Sequence, residues 1–171
     1  RTPVSKTGKE NWEDVIPHRD NTLLEDFSIF KDYLVLEERN NGLNKIRIKR
    51  WDGKEDYYLP FSEETYSAGV YSNPDFDTDV IRYSYNSFTT PSSVIDFNMR
   101  NQSKNIKKEQ EVLGGKFKKE NYLSKRVWVT ARDGKQIAIS LVYHKDTELS
   151  EKTPILQYAY GSYGYTIPDS F

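Results

Sequence analysis

Residues Tyr33–Phe61, YLVLEERNNGLNKIRIKRWDGKEDYYLPF, decide the fold class. Tyr33-Leu34-Val35-Leu36 is a short apolar run of strand length. Asn40-Asn41-Gly42 follows, and Asn and Gly accept the positive φ that tight hairpin turns need. In the next segment Leu43, Ile46 and Ile48 are separated by Lys and Arg, the pattern of a strand with one wet face. Asp52-Gly53 marks a second turn, and Asp56 to Phe61 is the outgoing strand. Upstream, Leu23 to Phe30 is apolar with interruptions and ends at a turn on Asp32. Together these are four consecutive antiparallel strands joined by short turns, a meander.

The pattern then repeats. Thr65 to Tyr71, Asp79 to Tyr85 and Ser93 to Phe97 read as strands, separated by Ser72-Asn73-Pro74-Asp75 and by a turn at Thr90-Pro91. Asn101 to Val112 closes the unit. Its Lys and Glu content, with Gly114-Gly115 behind it, favours a helix. Its place in the repeat demands an outer strand, and a strand is the expectation here. Two four-strand units of roughly 45–50 residues match the period of propeller blades. Other strand-rich folds fit that spacing nearly as well.

The composition is wetter than that of an average globular domain, with 36% apolar and 30% charged residues among 171. It is not that of a disordered chain, because 14% is aromatic, including 13 tyrosines. Net charge is −1 with basic residues spread along the chain, which argues against a nucleic-acid surface. The absence of cysteine excludes disulfides and thiolate metal sites. No signal-peptide pattern occurs, and no apolar run approaches the roughly 20 residues of a membrane span.

Arg1 to Glu10 is polar, and Pro17 favours an extended path for the segment around Trp12, Val15 and Ile16. Gly114 to Lys125 is a Lys-rich link and the best domain boundary. Beyond it, Arg126 to Ala131 and Ile137 to Tyr143 are strands around an Asp133-Gly134 turn. A charged loop leads to Thr153–Phe171, TPILQYAYGSYGYTIPDSF. Ile155 to Tyr160 is expected to be a buried strand, and Gly161-Ser162-Tyr163-Gly164 a tight turn at its carboxyl end, where sites on sheets sit. A plain β-turn with surface tyrosines accounts for the same spacing. A single buried strand at a chain end does not complete a sheet, so the chain is expected to be a piece of a longer protein.

No complete catalytic constellation is present. Around Ser162 the order Tyr160-Gly161-Ser162-Tyr163-Gly164 puts Tyr where a serine elbow needs its first Gly. His18 reads as a loop histidine hydrogen-bonded beside Arg19 and Asp20, and His144 as a solvated one. No spacing suggests a metal site, no cofactor is implied, and Gly114-Gly115 lacks a phosphate-binding pattern.

The motifs VIPHRD, IFKDYLVLEERNNGLNKIRIKRWDG, FDTDVIRYSY, SFTTPSSVIDFNM, EQEVLGG, RVWVTARDGKQIAISLVY and YAYGSYGYTIPDSF, in this order, resemble the oligopeptidase B branch of the prolyl oligopeptidase family of serine peptidases. The resemblance runs along essentially the whole chain. It implies a mainly β fold: a partial β-propeller of antiparallel four-stranded blades over residues 1–118. The first strands of an incomplete α/β-hydrolase catalytic domain follow over residues 119–171. The family's Ser, Asp and His lie further along, beyond Phe171, so this stretch by itself is expected to be inactive.

By the same resemblance, Tyr160 matches the tyrosine whose hydroxyl is the second oxyanion-hole donor, and Tyr163 an aromatic wall of the substrate pocket. Acidic residues after the turn meet basic substrate side chains in the family. Here only Asp169 is available, displaced by one position. Ala159 stands where the family often has Gly. The implied activity is cleavage of short peptides after Lys or Arg, in the cytoplasm or periplasm, without nucleic acid or membrane as partner. The alternative is a non-catalytic β-rich binding or interaction module. Either way, open sheet edges invite self-association.

Overall fold

The computed structural model covers residues 1–171. Two antiparallel four-stranded sheets account for most of residues 22–109. The first contains β1 (Thr22–Ile29), β2 (Tyr33–Asn40), β3 (Leu43–Arg50) and β4 (Asp56–Tyr58), in that spatial order. The second contains β5 (Ser67–Val70), β6 (Val80–Asn86), β7 (Ser93–Asn98) and β8 (Lys104–Glu109), again in sequence order. Both are open meanders, as the hairpin signals require. At the β2–β3 hairpin, Asn41 and Gly42 take φ of 52° and 76°, the two left-handed positions of a type I′ turn. That turn fixes the register, with Asn40 opposite Leu43 and Val35 opposite Ile48.

Register decides what is buried. On β2 and β3 one set of alternate side chains, Tyr33, Val35, Ile46 and Ile48, faces the second sheet. It meets Ile81 and Tyr83 of β6 and Ile95 and Phe97 of β7 in a single core of 13 buried residues. Phe61 extends this core, stacked on Tyr85 at 5.3 Å and tilted against Tyr66 at 4.6 Å. Tyr57 crosses between the sheets, donating its hydroxyl to the Met99 carbonyl at 2.6 Å.

Two local differences from the sequence expectations, and one expectation that is met, have simple causes. β4 stops at Tyr58 rather than Phe61: Leu59 still donates to the Ile46 carbonyl at 2.9 Å, but Pro60 has no N–H to continue the ladder. The outer strand expected in residues 101–112 forms over Lys104–Glu109, with all six residues exposed. Lysines on such an edge discourage pairing with another chain. His144 ends a strand and lies half-buried edge-on to Tyr122 at 5.5 Å, so it is less solvated than its charged neighbours suggested.

Past the Lys-rich link, β9 (Tyr122–Thr130) and β10 (Gln136–His144) form a separate two-stranded ribbon. No residue after Met99 is buried. The expected strand at Ile155–Tyr160 does not form: the segment pairs with no other strand, and Ile155 and Leu156 are 81% and 94% exposed. A strand requires a neighbour for its ladder. β9 and β10 pair with each other, and no other strand lies beside this apolar run. No helix is long and apolar enough to cross a membrane.

Candidate functional site

The candidate site is the turn after the unpaired segment Ile155–Tyr160. Tyr165 donates its backbone N–H to the Ser162 carbonyl at 3.0 Å, closing a four-residue turn. Its central residues, Tyr163 and Gly164, have φ of 56° and 68°. Both lie in the left-handed region, which Gly164 enters freely and Tyr163 only at some cost. The consequence is presentation: Tyr163 is 98% exposed at the tip of the turn. Tyr160, just before the turn, is half exposed, and its ring meets the Tyr165 ring edge-on at 5.6 Å. That contact leaves its hydroxyl without a protein partner, able to donate to an oxygen brought to it.

Asp169 is placed differently. Its side chain is 12% exposed and turned back onto the β9–β10 ribbon. Oδ2 accepts a hydrogen bond from the Ser140 hydroxyl at 3.0 Å and lies 3.5 Å from Nη1 of Arg126. Burial raises its pKa above the ordinary carboxylate value, while Ser140 and Arg126 pull it down. Tyr160 and Tyr163 thus lie before and on one exposed turn, while the Asp169 carboxylate is held against the β9–β10 ribbon.

Arg126 is the residue that sequence reading missed. Its guanidinium donates to the Asn41 carbonyl of the β2–β3 hairpin at 2.6 Å as well as facing Asp169. Its backbone N–H reaches the Glu64 carboxylate at 3.0 Å, and its guanidinium also lies over the Trp128 ring. These partners are 85, 62 and 43 residues away in sequence, so no local pattern announces them. Phe171 completes the attachment, meeting Phe117 edge-on at 4.9 Å, and Phe117 stacks on Tyr122.

The two histidines stand apart from this turn. His18 hydrogen-bonds Asp20 at 3.0 Å in an exposed loop, and His144 lies near Asp146 at the end of β10. No three His, Cys, Asp or Glu side chains converge in a way that would hold a metal ion. One surface hollow is lined by Tyr71, Ser84, Val94 and Lys108 on the second sheet, away from Tyr160. The arrangement offers tyrosine hydroxyls free of protein partners and an exposed aromatic surface, with neither histidine beside them to act as a base.

Known proteins give this geometry its context. The profile of the family described as prolyl oligopeptidase, N-terminal beta-propeller domain, matches residues 1–110. Dipeptidyl aminopeptidase BI of Pseudoxanthomonas mexicana is 40% identical over 170 residues, 99% of this chain and 23% of that protein. Protease 2 of Moraxella lacunata is 27% identical over 150 residues, 88% of this chain and 21% of that protein. Among solved structures, oligopeptidase B from Trypanosoma brucei with covalently bound antipain superposes with a TM-score of 0.81 and 32% identity. That match covers 91% of this chain and 23% of the other. Oligopeptidase B from Leishmania major gives a TM-score of 0.81 at 28% identity, covering 92% of this chain and 23% of the other. The chain therefore spans less than a quarter of the length of these relatives. The two meander sheets are blades of a propeller, and the chain belongs to the prolyl oligopeptidase family.

Proposed function

We propose that these residues are the last part of the propeller and the start of the α/β-hydrolase domain of a serine-type oligopeptidase that cleaves short peptides after Lys or Arg. In this reading Tyr160 donates its hydroxyl to the oxyanion formed when a serine attacks the peptide carbonyl. Tyr163 walls the substrate pocket. The nucleophile, its acid–base partner and the other oxyanion donor come from sequence beyond Phe171, so residues 1–171 alone turn nothing over. The compartment is the cytoplasm or periplasm, and the propeller limits access to short peptides.

One observation carries it: Tyr160 leads into a closed turn with its ring braced by Tyr165 and its hydroxyl free of protein partners. A donor held this way meets charge where it develops with little reorganisation. The preference for basic residues rests on likeness to the two oligopeptidase B structures. Asp169, expected to meet the basic side chain, already faces Arg126 and Ser140, and serves substrate only if that contact opens.

The 40% identity to a dipeptidyl aminopeptidase favours a second reading, release of dipeptides from a free amino terminus. Both are tested with a fluorogenic dipeptide ending in Arg, offered to the protein at the full length of its relatives. Turnover of the amino-blocked and free forms alike supports the oligopeptidase. Turnover of the free form alone supports the dipeptidyl peptidase. If neither form turns over and a fluorophosphonate fails to label the protein, the chain belongs to a non-catalytic β-rich binding module.

A further inference from the structure

Residues 154–171 are joined to the rest of the chain at few points. Ile155, Leu156, Tyr158 and Tyr163 are between 78% and 98% exposed. The side-chain hydrogen bonds that reach back from this segment are those of Asp169, to Ser140 and Arg126. They lie behind the turn that carries Tyr160 and Tyr163, four residues past Tyr165. The edge-on contact of Phe171 with Phe117 is the second attachment.

Arg126 extends the attachment to the propeller. Its side chain is also 12% exposed, and its Nη2 donates to Asn41 at 2.6 Å. The β2–β3 hairpin is shaped for this approach. A Cβ on Gly42 would lie 2.7 Å from Arg126 Nη2, and Gly42 has a φ of +76°. A side chain there would have to displace the guanidinium, and the positive φ favours glycine. Nε of Arg126 is buried without a hydrogen-bond partner, a cost accepted for the three contacts made by the terminal nitrogens, to Asn41, Asp169 and, at 3.4 Å, the Ser140 hydroxyl.

We propose that Arg126 and Asp169 are positioning residues: their ion pair fixes the segment behind the Tyr160 turn and, through the Arg126–Asn41 hydrogen bond, ties that turn to the β2–β3 hairpin of the propeller. The inference rests on Tyr160 acting as an oxyanion donor and deepens that reading. It gives Asp169 a structural partner in place of a substrate. A donor aimed at a developing charge loses its effect when displaced by about 1 Å, which costs up to roughly 100-fold in rate. Loosening the tether therefore lowers kcat for every substrate. It does not change which side chain the enzyme prefers.

The test uses the protein at the full length of its relatives, as wild type, Asp169→Asn, Arg126→Met and the double variant. Each single variant is expected to lose roughly 10–100-fold in kcat, with KM for Arg-ending and uncharged-ending peptides moved by one common factor. The double variant is expected to be no worse than the poorer single one, as for residues acting through one contact. Hydrogen–deuterium exchange is expected to rise in residues 158–171 and at Asn41–Gly42 in all three. Multiplying losses overturn the proposal, as does an Asp169→Asn variant whose KM rises for Arg-ending peptides alone. Unchanged exchange overturns it too, and needs no turnover. A wild type that is inactive on all peptides yet shows raised exchange in the variants refutes the peptidase reading and leaves the tether standing.

Discussion

Glu37 and Val70 belong to different sheets, yet the Glu37 carboxylate accepts the Val70 backbone N–H at 3.0 Å. The bond joins β2 to the edge of β5 on the face where the sheets meet, and it occupies a donor that edge strand leaves over.

Glu37 makes this contact at a cost. Burial raises its pKa above the ordinary 4.5, with Asp26 and Glu25 adding to the rise and the Val70 N–H opposing it. A carboxyl with a raised folded-state pKa is disfavoured in its ionised form by folding. The penalty is complete above the folded pKa and disappears below the unfolded one. Glu37→Gln keeps an acceptor for Val70 and sheds the charge. Its melting temperature is expected to exceed wild type by a few degrees at pH 7, with the gap closing once pH falls below about 4.5. Thermal melts from pH 3 to 8 check this, and a variant less stable at every pH refutes it.

Glu63 has the opposite sign. Burial works to raise its pKa, but the hydroxyls of Thr89, Tyr85, Thr90 and Ser87 hold it down to about 2 from an ordinary 4.5. All four donate at 2.7–2.8 Å, and Lys119 approaches at 3.3 Å. The stabilisation is present above the unfolded pKa and is lost as pH falls toward 2. A shift of this size corresponds to on the order of 3 kcal/mol. Glu63→Gln is expected to lose about that much at pH 7 in denaturant titrations and to match wild type near pH 2. The same loss at both pH values would show a packing defect instead.

These two glutamates show where sequence legibility ends. The blades were readable because Asn41-Gly42 and the Leu43, Ile46, Ile48 spacing are local signals, and sheet period and turn chemistry act over few residues. Glu63 and Arg126 carry no such signal. A charged residue becomes buried when distant partners converge on it, and the hydrogen-bond partners here lie up to 27 and 85 residues away. The absence of a strand at Ile155–Tyr160 has another source: an apolar run favours a strand, but pairing depends on a neighbour. Tyr160 and Tyr163 were visible as tyrosines around paired glycines. The turn of Asp169 toward Arg126 was not.

The outer edges of the two sheets predict association. β8 presents Lys104, Lys107 and Lys108 on an edge that resists pairing. β1, the edge of the other sheet, exposes Leu23, Phe27 and Ile29 at 61%, 57% and 54%. The 171-residue chain is expected to self-associate through β1 as concentration rises. Phe27→Lys with Ile29→Lys should return it to a monomer without altering its circular dichroism. Sedimentation velocity measures both, and a wild-type monomer at high concentration refutes the idea.

Tyr160 gives the sharpest prediction for catalysis. In the full-length protein, Tyr160→Phe removes one hydroxyl and keeps the ring that meets Tyr165 at 5.6 Å, so the turn persists. If the hydroxyl serves the oxyanion, the interaction exists in the transition state and not in the bound substrate. kcat should fall by about 10²–10³, the loss typical of one oxyanion donor, while KM stays within a small factor. Tyr163→Ala should behave conversely. Its ring is 98% exposed at the tip of the turn; if it walls the substrate pocket, KM should rise and kcat change little. Steady-state kinetics on an Arg-ending peptide distinguish the two effects. If Tyr160→Phe retains wild-type kcat, the oxyanion assignment fails, and the turn is then a surface feature whose tyrosines contact substrate at most.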